Sequence, residues 1–262
     1  MEGIAERWSR LVDEGPLVHN LTNYVVMNST ANALLAVGAS PAMVHAADEV
    51  EDFAGLARAL VVNVGTLSST WVASMRLAVA TAAERSIPWV LDPVGVGATR
   101  YRTAVSADLA RRGPTVIRAN ASEVLALAGS TTKGPKGVDS TASSADASSA
   151  ARALASELGT VVVASGAVDL ITDGERVATL SDGHPMMSLV TGMGCTASAL
   201  VAAFLAVEPD PFVAATSAMA VLGVVGARAA ESAPGPGTLQ LAILDGLYAA
   251  RGEALEPRLE LS

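Results

Sequence analysis

One cysteine and two lysines, Lys133 and Lys136, are all that 262 residues contain of either type. A single thiol, Cys195, forms no internal disulfide, which fits a reducing compartment. The formal net charge is −9, and no stretch clusters Arg or Lys. The electrostatic footprint that nucleic-acid binding requires is therefore missing. Long apolar runs are missing too: stretches such as Thr216–Val225 carry Thr, Ser and Gly and fall short of a membrane span. The N-terminal "MEGIAERWSRLVDEG" is charged and amphipathic and lacks the apolar centre of a signal peptide. A Walker-type phosphate loop is absent as well, because Pro135 follows Gly134 where a lysine belongs. These absences lead to the expectation of a soluble, cytoplasmic protein that engages neither nucleic acid nor membrane.

Apolar side chains are abundant, at 51% of the chain, and can fill a large core. Residues 1–262 are read as one domain. Short β-branched runs bounded by Gly, Pro or Asp recur at Ser40–Val44, Ala59–Gly65, Pro88–Gly95, Thr115–Glu123 and Thr160–Gly166. Ala-rich segments of helical length, including Thr70–Arg85 and Ala142–Leu158, lie between them. Alternating strand and helix implies an α/β fold, a mainly parallel sheet covered on both faces. Around Asp173-Gly174 the pattern becomes two short runs, a hairpin expected at the sheet edge. From Gly194 onward Ala-rich helices follow, broken at "EPDP" and "APGPG". The serine-rich "VDSTASSADASSAARAL" reads as a surface loop entering a helix.

Ligands of such sheets sit beyond the carboxyl ends of the strands. In "TGMGCTA" small residues precede a helix whose free N–H groups face back toward the loop, an arrangement that attracts phosphate. Cys195 is either an inert buried thiol in a tight turn or a thiol acidified by the helix terminus. Asp92 and Glu123 follow neighbouring strands and, in a chain with so few lysines, point to Mg²⁺ held largely through water. An Asp-Pro turn at Asp92 and a helix N-terminal acid at Glu123 are the structural alternatives. Arg118 ends an otherwise apolar strand and needs an anion, either Glu123 or a ligand phosphate. Asn23, Asn28 and Met43 offer amides and a soft apolar wall for a small, partly aromatic molecule. His19, His45 and His184 have no metal-ligand spacing and read as structural or solvent-facing.

Taken together and in order, "NLTNYVVMNSTANALLAVGASPAM", "LVVNVGTL", "LDPVGVGATRYR", "VIRANASE", "KGVDS", "VTGMGC" and "GPGTLQ" closely resemble the hydroxyethylthiazole kinase family, over about Leu17 to Tyr248. The resemblance implies a ribokinase-like three-layer fold. It also implies transfer of the ATP γ-phosphoryl group to 4-methyl-5-(2-hydroxyethyl)thiazole with Mg²⁺, in thiamine salvage. By matching position Asn23, Met43 and Gly192 would contact the thiazole, and Arg118, Ser165 and Asn120 the ATP. Asp92 and Glu123 would organise the metal, and Cys195 behind Gly192 and Gly194 would stand where most ribokinase-like enzymes place an aspartate base. Ser165 departs from the threonine common in relatives, Met193 from a smaller residue and Ala119 from glycine, and none of these removes a reacting group. The resemblance further implies a homotrimer with sites at subunit boundaries. The late helices, apolar on more than one face, read as helices buried twice.

Other readings keep the fold and change the substrate to hydroxymethylpyrimidine or pyridoxal, or make the chain an ATP-dependent hydrate dehydratase; Cys195 in place of Asp argues against them. A thiol–histidine hydrolase would need a histidine beside Cys195. A nucleotide sensor without turnover would have no use for Asp92, Glu123 and Cys195 together.

Overall fold

The computed structural model describes residues 3–131 and 144–262. The "KGVDS" motif, Lys133, Lys136 and the start of the serine-rich piece lie outside the described residues. Nine strands form one sheet in the order β2-β1-β3-β4-β5-β6-β7-β8-β9. Strands β1 (Leu17–Leu21), β2 (Ser40–Ala42), β3 (Ala59–Asn63), β4 (Trp89–Asp92), β5 (Val116–Asn120) and β6 (Val161–Ser165) run parallel. The hairpin β7 (Asp169–Thr172) and β8 (Val177–Leu180) continues the sheet antiparallel. It is not the edge that the sequence led us to expect, because β9 (Leu259–Leu261) from the far C-terminus pairs outside β8. Three residues without a turn signal carry too little pattern to announce a strand.

The central strands are apolar at nearly every position, since both faces are covered. Alternate side chains divide them between two cores. Val61, Val90, Val116, Val161 and Val163 face α1 (Ile4–Glu14), α2 (Met27–Val37), α8 (Met193–Leu205), α9 (Pro211–Ala230) and α10 (Pro236–Ala249). Leu60, Val62, Leu91, Ile117 and Val162 face α3 (Val50–Leu56), α4 (Ser69–Glu84), α5 (Arg100–Ala110), α6 (Ala121–Thr131) and α7 (Ser144–Leu158). The N-terminal segment is an amphipathic helix that buries Ile4, Trp8 and Leu11, and the Trp8 indole donates to the Val37 carbonyl.

Two expectations about the late helices need correction. Among the described residues α9 is long and apolar enough to cross a membrane, because the helix extends well beyond Thr216–Val225. Its apolar window is 72% buried within this chain. The all-round apolarity of α8 and α9 is thus satisfied inside one chain, where they lie against the sheet, each other, α1 and α10. It is no signature of a second copy.

Candidate active site

Strand alternation assembles the site. Asn63 and Asp92 share the α8 face with Val61 and Val90 and pair directly across β3 and β4. Arg118 and Ser165 share it with Val116 and Val163. All four stand at the carboxyl ends of parallel strands, where the N-terminus of α8 arrives. That terminus begins at Gly192, in a left-handed conformation with φ 82°, and has no side-chain cap. A Cβ at Gly192 would collide with Val26, and one at Gly194 with the Arg118 guanidinium. Glycine at these two positions lets the helix start touch its neighbours.

One polar chain crosses the site. Asn23 Nδ2 donates to Asn63 Oδ1 at 2.9 Å, and Asn63 Nδ2 donates to Asp92 Oδ2 at 2.7 Å. Ser198, one helical turn beyond Gly194, donates its hydroxyl to the same Asp92 oxygen at 2.8 Å. Both amides also reach the thiol, Asn63 at 3.2 Å and Asn23 at 3.6 Å from Cys195 Sγ. Asp92 is 1% exposed and its Oδ1 has no partner. Burial pushes its carboxyl up to about 6, against the pull of Arg118 and Ser198. Burial, then the Asp92 charge, push the Cys195 thiol up to about 12. Of the two readings of Cys195, the buried, protonated thiol is the one found and the acidified thiol is not: enclosure and a neighbouring carboxylate both hold the proton on. Asn23 and Asn63, both amides, are its hydrogen-bond partners among the described residues, which leaves the thiol–histidine hydrolase without its base.

Arg118 Nη2 donates to Ser165 Oγ at 2.6 Å, while its buried Nε has no partner. Among the described residues Arg118 makes no ion pair; Glu123, one of its two expected anions, is occupied elsewhere. Glu123 Oε2 accepts from the Asn120 amide at 2.9 Å, and Asn120 Oδ1 accepts from the Glu123 amide at 2.9 Å. This is a reciprocal cap on α6. Glu123 Oε1 takes the Gly95 N–H at 2.7 Å. The acid at the helix start that the sequence allowed is present, and its carboxylate still lies close enough to raise Asp92. Asp169 begins β7, accepts from the Gly166 amide and feels the Arg118 charge, while burial holds its carboxyl above the ordinary range.

Met43 is half-buried, and its carbonyl meets His45 Nδ1 at 3.0 Å. The His45 ring stacks on Trp71 at 4.2 Å, with Tyr24 on Trp71 at 4.3 Å. Asn28 is exposed on α2, where its Oδ1 accepts from Asn32 Nδ2. His19 is buried against the Val44 carbonyl, its ring pushed down to about 4 by burial, and His184 caps the 3-10 turn at Pro185–Leu189. The structure thus brings Asn23, Asp92, Arg118, Ser165, Gly192, Gly194 and Cys195 together and adds Asn63 and Ser198, which the sequence reading did not single out. The signal for Asn63 was its place two residues after Val61, at a strand end beside Asp92.

For Mg²⁺, the donors available are the carboxylate oxygens of Asp92 and Glu123, hard ligands suited to that ion. The buried Asp92 Oδ1, which has no hydrogen-bond partner, suits a hydrated cation. Among the described residues no group of three or more His, Cys, Asp or Glu is placed to hold an ion by itself, so Asp92 and Glu123 would hold one largely through water.

Residues 8–253 match the hydroxyethylthiazole kinase family. A hydroxyethylthiazole kinase from Granulibacter bethesdensis is 54% identical over 239 residues, covering 91% of this chain and 87% of that relative. The structure of a hydroxyethylthiazole kinase from Pyrococcus horikoshii superposes with a TM-score of 0.92 at 40% identity and full coverage of both chains. A ribokinase-like superfamily protein from Enterococcus faecalis, at 13% identity, has a TM-score of 0.67 with 94% of each chain covered, a likeness of fold.

The raised Asp92 carboxyl makes stability fall with rising pH. The folded state holds the Asp92 proton up to about pH 6, whereas an unfolded carboxyl loses it near pH ~4. Stability is lost across that window and stays lost above it, by about 3 kcal/mol. His19 acts in the opposite sense, losing stability as pH falls. Subtracting the wild-type curve from that of Asp92→Asn isolates the carboxyl. Thermal melts are expected to show Asp92→Asn more stable than wild type at pH 7 by roughly 1–3 kcal/mol, with the gain gone near pH ~4. A gain that does not depend on pH would show that Asp92 is not the buried charge described.

Proposed function

The chain belongs to the hydroxyethylthiazole kinase family, and from that premise we propose that it transfers the γ-phosphoryl group of ATP to the side-chain hydroxyl of 4-methyl-5-(2-hydroxyethyl)thiazole. The observation that carries this reading is a meeting of two positive features. Arg118 lies against Gly194 at the uncapped start of α8, and among the described residues no carboxylate pairs with it. A phosphate bound beside them, within reach of both, relieves both. In this reading Arg118, Ser165 and Asn120 bind ATP, while Asn23, Met43 and Gly192 line the thiazole pocket. Asp92 and Glu123 hold Mg²⁺ through water; when bound, the ion neutralises phosphate charge. The N–H groups at Gly194 and Cys195 receive the transferred phosphoryl.

Phosphoryl transfer asks mostly for alignment and charge stabilisation, so the acceptor hydroxyl can keep its proton until late. Cys195 suits that sequence of events. Its thiol is protonated at neutral pH and takes no proton, so the hydroxyl proton leaves as the new P–O bond forms and passes to an oxygen of the transferred phosphoryl group. Aspartate in its place is the stronger acceptor. A coupled assay of ATP consumption is expected to favour the thiazole alcohol over hydroxymethylpyrimidine and pyridoxal. Cys195→Asp should match or exceed wild-type kcat at pH 8, because a carboxylate adds the base that the protonated thiol does not supply, and Cys195→Ala, which removes a thiol that only aligns the acceptor hydroxyl, should lose about 10-fold or less. Preference for either other alcohol would overturn the substrate, and an inactive but folded Cys195→Asp would overturn the role of the thiol.

We further propose that the enzyme works in the cytoplasm as a homotrimer, its partners being two small molecules and two copies of itself. Leu35 on α2 and Leu241 and Tyr248 on α10 are 54%, 63% and 65% exposed on helices that pack together. Large apolar side chains gathered on one such face favour a covered surface. Sedimentation equilibrium should give about three times the chain mass, and replacing Leu35 and Leu241 by Asp should lower it. A wild-type mass of one chain with full activity would contradict the trimer.

A further inference from the structure

Arg102, in the first turn of α5, turns its guanidinium back under the loops that follow β3 and β4. Its Nη1 donates to the Val64 carbonyl and, at 2.8 Å, to the Val94 carbonyl; Nη2 donates to the Gly65 carbonyl at 3.1 Å. Among the described residues no carboxylate pairs with it. A half-buried cation is thus committed to three backbone carbonyls, two of them on one loop and one on the next.

Two of those carbonyls have a consequence on their far side. The Val64 carbonyl and the Gly65 N–H belong to one peptide group, and that N–H donates to Asn63 Oδ1 at 2.9 Å. The Val94 carbonyl and the Gly95 N–H belong to another, and that N–H donates to Glu123 Oε1 at 2.7 Å. Each peptide is held between the cation and a site side chain, and a cation on the carbonyl strengthens the N–H as a donor. Both glycines fit the arrangement closely. A Cβ at Gly65 would stand 2.5 Å from Asn23 Nδ2, and Gly95, with φ 69°, lies under the Arg102 chain.

We infer that Arg102 is a positioning residue for the phosphoryl transfer: through two peptide groups one guanidinium fixes Asn63, and with it Asn23 and Cys195, and also Glu123. Arg102 touches none of the reacting groups itself. The planar fork is required, because an ammonium is a point charge that cannot span carbonyls on two loops. The activity part of this inference rests on the kinase reading above, whereas the geometric part does not.

Cys195, the sole cysteine, reports on the geometry directly. Alkylation by iodoacetamide at pH 8, followed by intact mass, measures how firmly Asn63 and Asn23 enclose it. In Arg102→Met the amides loosen, water enters, and alkylation should quicken at least about fivefold at a temperature where the fold is intact. Turnover should fall roughly 10²-fold while the KM for ATP moves less than about threefold. Arg102→Lys should restore only part of both, and added guanidinium should slow the alkylation of Arg102→Ala toward the wild-type rate. An alkylation rate equal to wild type in folded Arg102→Met overturns the inference, as does an Arg102→Lys protein equal to wild type in both readouts. Should Arg102→Met fail to fold, Arg102→Lys decides by the same two measurements. Should wild type not turn over the thiazole alcohol, the kinase reading fails and alkylation alone decides about Arg102.

Discussion

The ionised form of one enclosed carboxylate sets the terms for everything around it. Asp92 sits at the end of a central strand, closed off from water, with one oxygen satisfied by Asn63 and Ser198 and the other left without a partner. Its charge raises the thiol of Cys195 and is itself drawn down by Arg118. A carboxylate held this way is costly to an empty site and useful to a loaded one, because cation, phosphate and arginine together supply the compensation it lacks.

Positive groups converge from the other direction. The start of α8 and the Arg118 guanidinium are pressed together by glycines that leave no room for a side chain between them. With Asp92 behind and Arg118 in front, the ends of β4 and β5 place opposite charges a few residues from the same helix start. That separation of sign suits a phosphoryl group in transit: cationic and N–H donors toward its oxygens, with a carboxylate near enough to share a cation with them. Cys195 stands at the boundary. It keeps its proton because the negative member of the pair is close and water is distant.

Much of this was legible before any coordinates. Arg118 stood out because an arginine ending an apolar strand needs an anion, Asp92 because it ends a strand beside a glycine-rich loop even though an Asp-Pro turn was an alternative, and glycines before a helix marked its start. Glu123 was legible in two ways, as a helix N-terminal acid and as a metal-organising carboxylate; the first is what the structure shows in its cap with Asn120, and it also lies close enough to act on Asp92. Asn63 and Ser198 escaped notice because amides and hydroxyls are common, and only the register of β3 with β4 and one turn of α8 bring them to Asp92. The sequence could not decide between a buried, protonated thiol and an acidified one for the same reason, since the carboxylate beside it comes from a strand about a hundred residues earlier. The strand β9 and the enclosure of α9 also depend on segments remote in the chain, and local pattern does not carry that information.

The account turns on Asp92 being a buried carboxyl that holds its proton to about pH 6 in the free protein and gives it up when the site fills. Carbon-13 NMR of labelled aspartate, assigned by comparison with Asp92→Asn, measures this directly. One carboxyl should titrate near 6 in the free protein and move downward by more than a unit when ATP and Mg²⁺ are added. An Asp92 that titrates near 4 in the free protein, or that does not move on loading, would contradict the account.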